Sequence, residues 1–567
     1  MTDYTPDNPL IVQGDHTILV EVNSPRYEAA RNELIRFAEL VKSPEHIHTY
    51  RITPLSIWNA RAAGIPATSI IDALHEFTKY PVPEHILVEI NDFAARFGRL
   101  KLRRHKKGIT LSADNEPLAE EIVHTPAIRD LLASRISQTE FLIRVADRGR
   151  IKQALIQVGF PAEDLAGYVK GERVDFSVRT TTSSGAGFSF RPYQQQAADI
   201  FYAKGADQGG AGVIVLPCGA GKTIVGIGCM AQLQTSTLIL TTNVTAIRQW
   251  KQELMDKTTL SEEDIGEYSG NAKEIRQVTI ATYQIMTYRP NKEGDFPHLT
   301  LFDDRNWGLI IYDEVHMLPA PVFQVTAGLQ ARRRLGLTAT LVREDGKEED
   351  VFALIGPKKV DVPWKEMEQQ GWIAKARCCE IRIPLPEDLR MPYAVANKRR
   401  KFRISSENPA KQALIREIMA RHKGKQILLI GMYIDQLKAA AKGLDIPLIT
   451  GSTSQKKRDS LYEDFKDGKI STLAVSKVAN FAVDLPDAAV AIQISGTFGS
   501  RQEEAQRLGR ILRPKPGENQ AYFYSLVTQD TVEQDFALKR QLFLCEQGYE
   551  YAIRTEGSLM ISPSAVD

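Results

Sequence analysis

The chain has 567 residues, too many for one hydrophobic core, and this length predicts about three or four domains. Its 72 Lys and Arg residues balance 70 Asp and Glu residues, so any nucleic-acid surface must be local. Five scattered cysteines exclude a disulfide framework and a CxxC metal site. No apolar run reaches the ~18 residues of a membrane span and the start is polar, so we expect a cytoplasmic protein without membrane contact.

The N-terminal third is predicted to be an α+β region. Residues 18–22 indicate a strand and residues 27–40 a helix, while Thr53 and Pro54 suit the N-cap and first residue of another helix. Residues 98–107 alternate apolar and basic side chains, which favours either a phosphate-contacting strand or a solvated strand edge. Strands near 141–145 and a helix over 148–158 complete a small α/β unit, and the polar segment 179–189 predicts a linker.

A glycine-punctuated turn follows the apolar strand at 213–216 and ends in Lys-Thr. Glycine permits positive φ, so backbone N–H groups can converge on one anion at the start of a helix. Lys222 would neutralise nucleotide phosphates and the Thr223 hydroxyl would bind Mg²⁺. The strict phosphate-loop pattern has glycine where Leu216 stands, so on this motif alone a glycine-rich turn without a ligand stays open. The candidate cradle consists of Pro217, Cys218, Gly219, Ala220, Gly221, Lys222 and Thr223.

A second motif supplies paired carboxylates, because the apolar strand at 309–312 runs directly into Asp313 and Glu314. The carboxyl ends of parallel strands are where open α/β sheets bind ligands. Asp313 would hold Mg²⁺ through water, and Glu314 would orient and deprotonate the attacking water. Both motifs together, each after its own strand, predict an ATP hydrolase.

Alternating strands and helices predict two parallel, doubly wound sheets and hence an α/β fold. The first half includes strands at 238–242 and 278–282 and a helix at 244–254. Strands at 426–430, 470–475, 489–494 and 521–526 belong to the second. Only the first half carries a phosphate loop, so we expect the site at the interface of the halves, closing on ATP and opening after hydrolysis.

The motif order resembles superfamily 2 helicases of the xeroderma pigmentosum group B type, bacterial branch. The likeness covers nearly the whole chain and is carried by segments 50–60, 191–194, 219–223, 313–316, 338–345, 355–358 and 500–510. It implies two RecA-like domains that clamp ATP, with an additional α+β N-terminal region. The implied divisions are an accessory domain at 1–95, a damage-recognition-like domain at 96–178, a linker at 179–189, RecA-like domains at 190–371 and 372–567, and a short thumb-like insertion near 386–405.

The resemblance also implies roles for individual residues. Arg191 and Gln194 would read adenine. Catalytic roles at the γ-phosphate are implied for Gln506, Arg507 and Arg510, with the two arginines as fingers worth about 10³–10⁵ in rate. Coupling and strand opening are implied for His316, Thr338, Thr340, Arg343, Glu344, Asp345 and Asp484. DNA contact is implied for Lys398, Arg399, Arg400 and Lys401, with a solvated charge run as the alternative. In the segment 478–486 the chain departs from many relatives, because Ala479 and Asn480 replace Gly-Asp.

Taken together, we expect an ATP- and Mg²⁺-dependent DNA helicase or translocase. Movement in the 3′→5′ direction, a role in DNA repair, a single-stranded or forked duplex substrate and a nuclease as candidate partner follow from the resemblance. A double-strand DNA translocase or remodeller with little strand separation is one alternative. A nucleic-acid-binding scaffold with weak ATPase is another. An RNA substrate also stays open, because motors that track the backbone need not read sequence.

Overall fold

The computed structural model of the chain describes most of its length. The described residues are 4–42, 46–183, 185–206, 209–217, 219–291, 296–302, 304–328, 332–339, 348–362, 364–476, 488–496, 508–509, 511–512, 519–546, 549 and 551–555. Within them, no helix combines the length and the apolar character needed to cross a bilayer.

The first unit is an antiparallel sheet covered by helices. Its strands are β1 (Leu10–Val12), β2 (Thr17–Glu21), β3 (Glu39–Lys42) and β4 (Ile47–Arg51), in the order β1-β2-β4-β3. Its helices are α1 (Tyr27–Leu34), α2 (Pro54–Ala62), α3 (Ala67–Phe77) and α4 (Glu84–Arg96). Thr53 caps α2 as predicted, because its side chain accepts a hydrogen bond from the Ser56 backbone N–H. The helix predicted over 27–40 ends at Leu34, because residues 39–42 pair with β4 as a strand and Phe37 is buried in the core.

A second unit is a mixed sheet. Its strands are β5 (Leu100–His105), β6 (Gly108–Ala113), β7 (Leu132–Arg135), β8 (Glu140–Ile143) and β9 (Ala162–Leu165), in the order β7-β8-β6-β5-β9. Its helices are α5 (Glu116–His124), α6 (Pro126–Arg129) and α7 (Arg148–Gln157). The basic, apolar alternation of residues 98–107 therefore forms the β5–β6 hairpin, with Leu100 and Leu102 in the core.

The third unit is a parallel sheet of the expected doubly wound kind. Its strands are β10 (Ala211–Val215), β11 (Thr237–Thr241), β12 (Ile265–Tyr268), β13 (Val278–Thr282), β14 (Leu309–Asp313), β15 (Arg333–Thr338) and β16 (Lys358–Asp361), in the order β12-β13-β11-β14-β15-β10-β16. Its helices are α8 (Pro192–Tyr202), α9 (Lys222–Leu233), α10 (Val244–Lys257), α11 (Tyr283–Met286), α12 (Ala320–Gly328), α13 (Glu348–Leu354) and α14 (Trp364–Gln369). Strand β15 lies between β14 and β10, so the ends of all three meet at one edge.

The fourth unit repeats this plan. Its strands are β17 (Lys375–Ile383), β18 (Ile427–Gly431), β19 (Leu448–Ile449), β20 (Thr472–Ser476), β21 (Val490–Gln493), β22 (Gln520–Thr528) and β23 (Tyr551–Thr555), in the order β19-β20-β18-β21-β22-β17-β23. Its helices are α15 (Glu387–Val395), α16 (Lys398–Ser406), α17 (Lys411–Arg421), α18 (Ile434–Leu444), α19 (Gln455–Lys466) and α20 (Val532–Glu546). Every paired strand is parallel, which confirms the prediction of two α/β halves with an added α+β region.

Specific contacts attach the N-terminal units to the first parallel sheet. Asn59 in α2 accepts a hydrogen bond from the Lys358 backbone N–H at 3.0 Å, and Gln153 in α7 donates one to Asp350 at 2.7 Å. The segment 179–189, predicted as a linker, is also bound. The Arg179 backbone N–H donates to the carbonyl of Lys257 at 2.8 Å, at the end of α10. Just before it, Val174 and Phe176 are buried in the core of the parallel sheets.

Candidate active site

The glycine-rich turn lies between β10 and α9. Gly219 and Gly221 have φ of 83° and 80°, in the left-handed region that favours glycine. Helix α9 begins at Lys222, directly after the turn, so its N-terminal N–H groups face the same space. A side-chain carbon at Gly221 would lie 2.6 Å from Nε2 of Gln194, which explains why glycine is needed there. Cys218 lies outside the described residues.

Helix α8 holds this turn from behind. Gln194 Nε2 and the Tyr193 hydroxyl both donate to the carbonyl of Ala220, at 3.0 and 2.7 Å. The other end of the Gln194 amide accepts from the Arg191 backbone N–H at 3.0 Å. The Arg191 guanidinium lies 4.9 Å from the centroid of the Trp372 ring. Gln194 is thus occupied in positioning the phosphate turn, and the prediction that Arg191 and Gln194 read adenine stays a prediction.

The carboxylate pair stands at the end of β14. Asp313 accepts hydrogen bonds from the Trp250 indole N–H at 2.9 Å and from the Glu314 backbone N–H at 3.1 Å. The Tyr283 hydroxyl donates to the Asp313 carbonyl at 3.0 Å. Desolvation and the neighbouring Glu314 charge raise the pKa of Asp313 to about 6, although Lys222 and the hydrogen bonds from the Trp250 indole and the Glu314 backbone oppose the shift. The fold therefore holds the Asp313 carboxylate at a position where its negative charge is unfavourable unless a cation lies nearby.

Glu314 adopts an unusual backbone conformation, with φ of 51° in a region that side chains rarely occupy. Such strain is typical of positions where a side chain must take a defined direction. Its carboxylate lies 3.0 Å from Lys222 Nζ, and both side chains are largely buried. The sequence-predicted phosphate-binding lysine and the predicted general base therefore form an ion pair across the site.

The donor set fits Mg²⁺. This ion prefers oxygen ligands and is usually held by one or two protein groups together with phosphate and water. Thr223, the second residue of α9, contributes a hydroxyl, and Asp313 contributes a carboxylate at the end of β14. The two elements flank the same edge of the parallel sheet, and the raised pKa of Asp313 shows that a cation there would relieve a charge cost.

Two predicted coupling residues meet behind the carboxylates. His316 Nδ1 and the Thr338 hydroxyl are 2.6 Å apart, and both side chains are buried. His316 Nδ1 also lies 3.5 Å from Glu314 Oε2. Thr338 ends β15, and its carbonyl accepts from the Leu216 backbone N–H at 3.0 Å, just before the phosphate turn. A continuous set of contacts thus joins Glu314 to the strand that leads toward residues 340–345.

Several predicted site residues lie outside the described residues. These are Thr340, Arg343, Glu344, Asp345, Asp484, Gln506, Arg507 and Arg510. Their roles stay predictions. The described residues on either side of Arg510, namely Leu508, Gly509, Ile511 and Leu512, are buried.

The basic run at 398–401 forms the first turn of α16. Asn397 caps this helix by accepting from the Arg400 backbone N–H at 3.0 Å. Lys401 Nζ lies 5.4 Å from the Tyr393 ring centroid and Lys398 Nζ 5.8 Å from that of Phe536, so two ammonium groups lie near aromatic rings. Lys398, Arg399 and Arg400 are exposed and Lys401 is half-buried, so at least the first three are available to phosphates.

Motif-based interpretation missed residues that hold the site together, notably Trp250, Tyr193, Tyr283 and Trp372. Trp250 carried a partial signal, because Ile247, Trp250 and Leu254 follow helical spacing and are buried on one face of α10. Nothing local marks that its indole N–H reaches Asp313, since the two are far apart in sequence.

The phosphate turn and the carboxylate pair lie at one edge of a parallel sheet, and a second parallel sheet follows in the chain. This combination defines a motor ATPase of the helicase class. Comparison with known proteins identifies the branch. Residues 367–564 match the family described as ERCC3/RAD25/XPB C-terminal helicase. Residues 187–343 match type III restriction enzyme, res subunit, and residues 10–137 match a helicase conserved C-terminal domain.

Relatives cover almost the whole chain. It is 53% identical to the DNA 3′-5′ helicase XPB of Kineococcus radiotolerans over 548 residues, 96% of each chain. It is 52% identical to the protein of that name from Mycobacterium tuberculosis, over 98% of this chain and 99% of that one. It is also 34% identical to the "Putative DNA 3'-5' helicase Rad25" of Halobacterium salinarum, over 92% and 83%. The chain belongs to the XPB family.

Proposed function

We propose that this chain is an ATP-dependent DNA helicase that moves 3′→5′. The observation that carries the proposal is the Lys222–Glu314 ion pair, 3.0 Å long, beside Asp313 and the phosphate turn. These are the groups that phosphoryl-transfer motors need, at the edge where such sheets bind nucleotides. The two bacterial relatives are DNA 3′-5′ helicases by name, which supports DNA as substrate and the direction of movement.

The ion pair suggests how nucleotide binding starts the chemistry. In this arrangement Lys222 Nζ is paired with the Glu314 carboxylate, and an ion-paired carboxylate is a weaker acceptor for a proton from water. A triphosphate carries more negative charge and draws Lys222 away. Glu314 then turns to a water, which it orients and deprotonates for attack on the γ-phosphate. Bound Mg²⁺, held by Thr223 and Asp313, would neutralise charge that develops on the phosphates.

The second half completes the site in this proposal. Arg507 and Arg510 act as fingers on the γ-phosphate with Gln506 beside them, and Asp484 takes part in coupling. The contact of His316 with Thr338 transmits the state of Glu314 toward Arg343, which opens strands. The exposed basic turn of α16 contacts DNA phosphates, and its aromatic neighbours limit the entropy lost by Lys398 and Lys401.

A role in DNA repair, with a nuclease as partner on forked or single-stranded DNA, is part of the proposal through the family. The "General transcription and DNA repair factor IIH helicase/translocase subunit XPB" of Danio rerio, 31% identical over 97% of this chain, supports the repair role by its name. A cytoplasmic location stays a prediction of the sequence.

The test compares ATP turnover with strand displacement. The wild-type chain is assayed with single-stranded DNA, blunt duplex, 3′-tailed duplex and RNA. We expect ATP hydrolysis that DNA stimulates and displacement that needs the 3′ tail. Lys222→Ala should abolish turnover and leave DNA binding largely intact, and Glu314→Gln should bind ATP without cleaving it.

The outcomes separate the alternatives. DNA-stimulated hydrolysis without displacement from any substrate would favour a double-strand DNA translocase. Stimulation by RNA alone would make the substrate RNA. Wild-type turnover in Lys222→Ala or Glu314→Gln would refute the assignment of the active site.

A further inference from the structure

The short segment between the two parallel sheets is in contact with both. It starts after α14 with Gly371, whose φ of 73° turns the chain, and continues through Trp372 into β17. The Trp372 backbone N–H donates to the carbonyl of Met367 at 2.9 Å, so the turn is fixed to α14. Trp372 itself is only partly buried and packs against the core that both sheets share. A large side chain at this junction can respond to a movement of either parallel-sheet half.

On one side, Trp372 contacts residues that hold the phosphate turn. The Arg191 guanidinium lies 4.9 Å from its ring centroid, and Arg191 NH1 approaches its carbonyl at 3.5 Å. The Tyr193 ring is 6.2 Å away. Tyr193 in turn accepts from Arg191 NH1 at 3.2 Å and donates to the carbonyl of Ala220 at 2.7 Å. Two contacts therefore separate the ring of Trp372 from the backbone of the phosphate turn.

On the other side, the same segment binds the part of the chain that carries the predicted arginine fingers. The Ala374 backbone N–H donates to the carbonyl of Leu512 at 2.8 Å. The Asn519 side chain donates to the carbonyl of Ile373 at 3.2 Å. Leu512 is buried and follows Arg510 by two residues in the sequence. A series of contacts thus connects the phosphate turn, through Tyr193 and Trp372, with the backbone at Leu512.

We propose that Trp372 is a positioning residue that couples the phosphate turn of the first half to the backbone at Leu512 in the second half, in the part of the sequence where the proposed function assigns the arginine fingers. Because the inference rests on the proposed ATPase function, its test must separate the two. When a nucleotide moves Arg191, the cation–π contact transfers that shift to the segment 371–375, and the bond from Ala374 passes it to Leu512. On the proposed function, the arginine fingers act on the transition state, so the contact should affect transition-state binding and contribute little to nucleotide binding by the first half alone.

The alternative is that Trp372 only fills space at the junction. The two cases differ in which ligand they affect. A residue that only fills space would, when truncated, weaken all nucleotide states alike or lower stability. A positioning residue would weaken the transition-state analogue, ADP with aluminium fluoride, far more than ADP.

The experiment measures dissociation constants of ADP and of ADP–aluminium fluoride with Mg²⁺ and single-stranded DNA, together with kcat and KM for ATP. In Trp372→Ala we expect a roughly tenfold loss of kcat and of affinity for the analogue, the size expected for a lost partly buried cation–π contact. The affinity for ADP should change less than about threefold. Trp372→Phe keeps a ring under Arg191 and should restore most of the loss.

Two further variants make the result decisive. Arg191→Met removes the partner and leaves the indole, so it should lower the ratio of the two affinities by a similar factor even if Trp372→Ala folds poorly. The double variant should lose no more of this ratio than the worse single variant. Lys425→Met is the matched control, since it removes a cation–π contact of similar length, 4.8 Å from Lys425 Nζ to the Tyr522 ring centroid, that lies outside the segment 371–375 and should leave the ratio unchanged.

An unchanged ratio in Trp372→Ala, or additive losses in the double variant, would overturn the inference while wild-type ATP turnover still supports the proposed function. A wild-type chain that binds nucleotide but hydrolyses none, with or without DNA, would overturn both.

Discussion

Replacing Asp313 by Asn should make the nucleotide-free protein more stable while abolishing ATP hydrolysis. A shift in the pKa of Asp313 from 3.8 to about 6 corresponds to about 3 kcal/mol of unfavourable free energy for the charged form. Retained solvent contact at this strand end makes that an upper value. Asn removes this cost, but its amide can accept from only one of the two donors, the Trp250 indole and the Glu314 backbone N–H. The other donor loses its acceptor at a cost of ~1–2 kcal/mol.

The net gain is therefore about 1–2 kcal/mol, and it depends on pH. Because the folded-state pKa of Asp313 lies above its unfolded value, the folded chain binds more protons there. The charge cost is absent below about pH 4, develops as the pH rises toward about 6 and is complete above it. Asp313→Asn should accordingly stabilise the protein at pH 8 and give no gain near pH 4.

Thermal unfolding of the nucleotide-free protein, followed at pH 8 and at lower pH, measures the effect. For a unit the size of the first parallel sheet and its helices, the gain corresponds to a rise in Tm of roughly 2–8 °C. Asp130→Asn is the control, because its side chain is 76% exposed and its loss should change Tm little. An unchanged or lower Tm at pH 8 would contradict the burial argument, and retained ATP turnover would contradict the role given to Asp313.

Three further predictions test the coupling residues and the predicted DNA contacts of α16. Thr338→Val removes the buried contact with His316, so it should cost ~1 kcal/mol of stability and reduce strand displacement more than ATP turnover; equal losses in both assays would argue against coupling. Arg343→Ala should hydrolyse ATP but displace a 3′-tailed strand poorly, and unchanged unwinding would remove its strand-opening role. Charge removal on α16 should weaken DNA binding for all sequences and reduce its salt dependence, measured by fluorescence anisotropy across a salt series, whereas an unchanged salt slope would indicate a solvated helix face. The residues to replace are Lys398, Arg399, Arg400 and Lys401.

Local motifs predicted the central part of the site because their chemistry is contained in a few consecutive residues. The turn before Lys222 and the carboxylates after 309–312 each follow a strand, and parallel pairing brings the two strand ends to one edge. The strand–helix alternation predicted both parallel sheets for the same reason, since buried strands of this kind carry a continuous apolar signal.

Contacts between distant residues could not be predicted in this way. The bond from Trp250 to Asp313 joins a helix to a strand end 63 residues away, and no pattern in either segment marks it. Helix α1 ends earlier than the sequence predicts for the same reason. Residues 39–42 pair with β4, and this pairing outweighs the local helical preference of residues 35–40. The sequence motifs also do not predict the ion pair of Lys222 with Glu314, because they assign Lys222 to the nucleotide phosphates and Glu314 to the attacking water.

The polar stretch at 179–189 has a practical consequence for where this polypeptide can be divided. A shortened motor that starts at residue 190 would lose the bond from Arg179 to the end of α10 and would also discard Val174 and Phe176, whose side chains belong to the motor's own core. The Val174 backbone N–H donates to the carbonyl of Gln234, and the Phe176 backbone N–H donates to the side-chain oxygen Oε1 of the same residue, so these residues cover the C-terminus of α9. A stable truncated motor must therefore begin before Val174. The serines and glycines of the segment 179–189 resemble a linker, but cutting there would remove part of the motor's core.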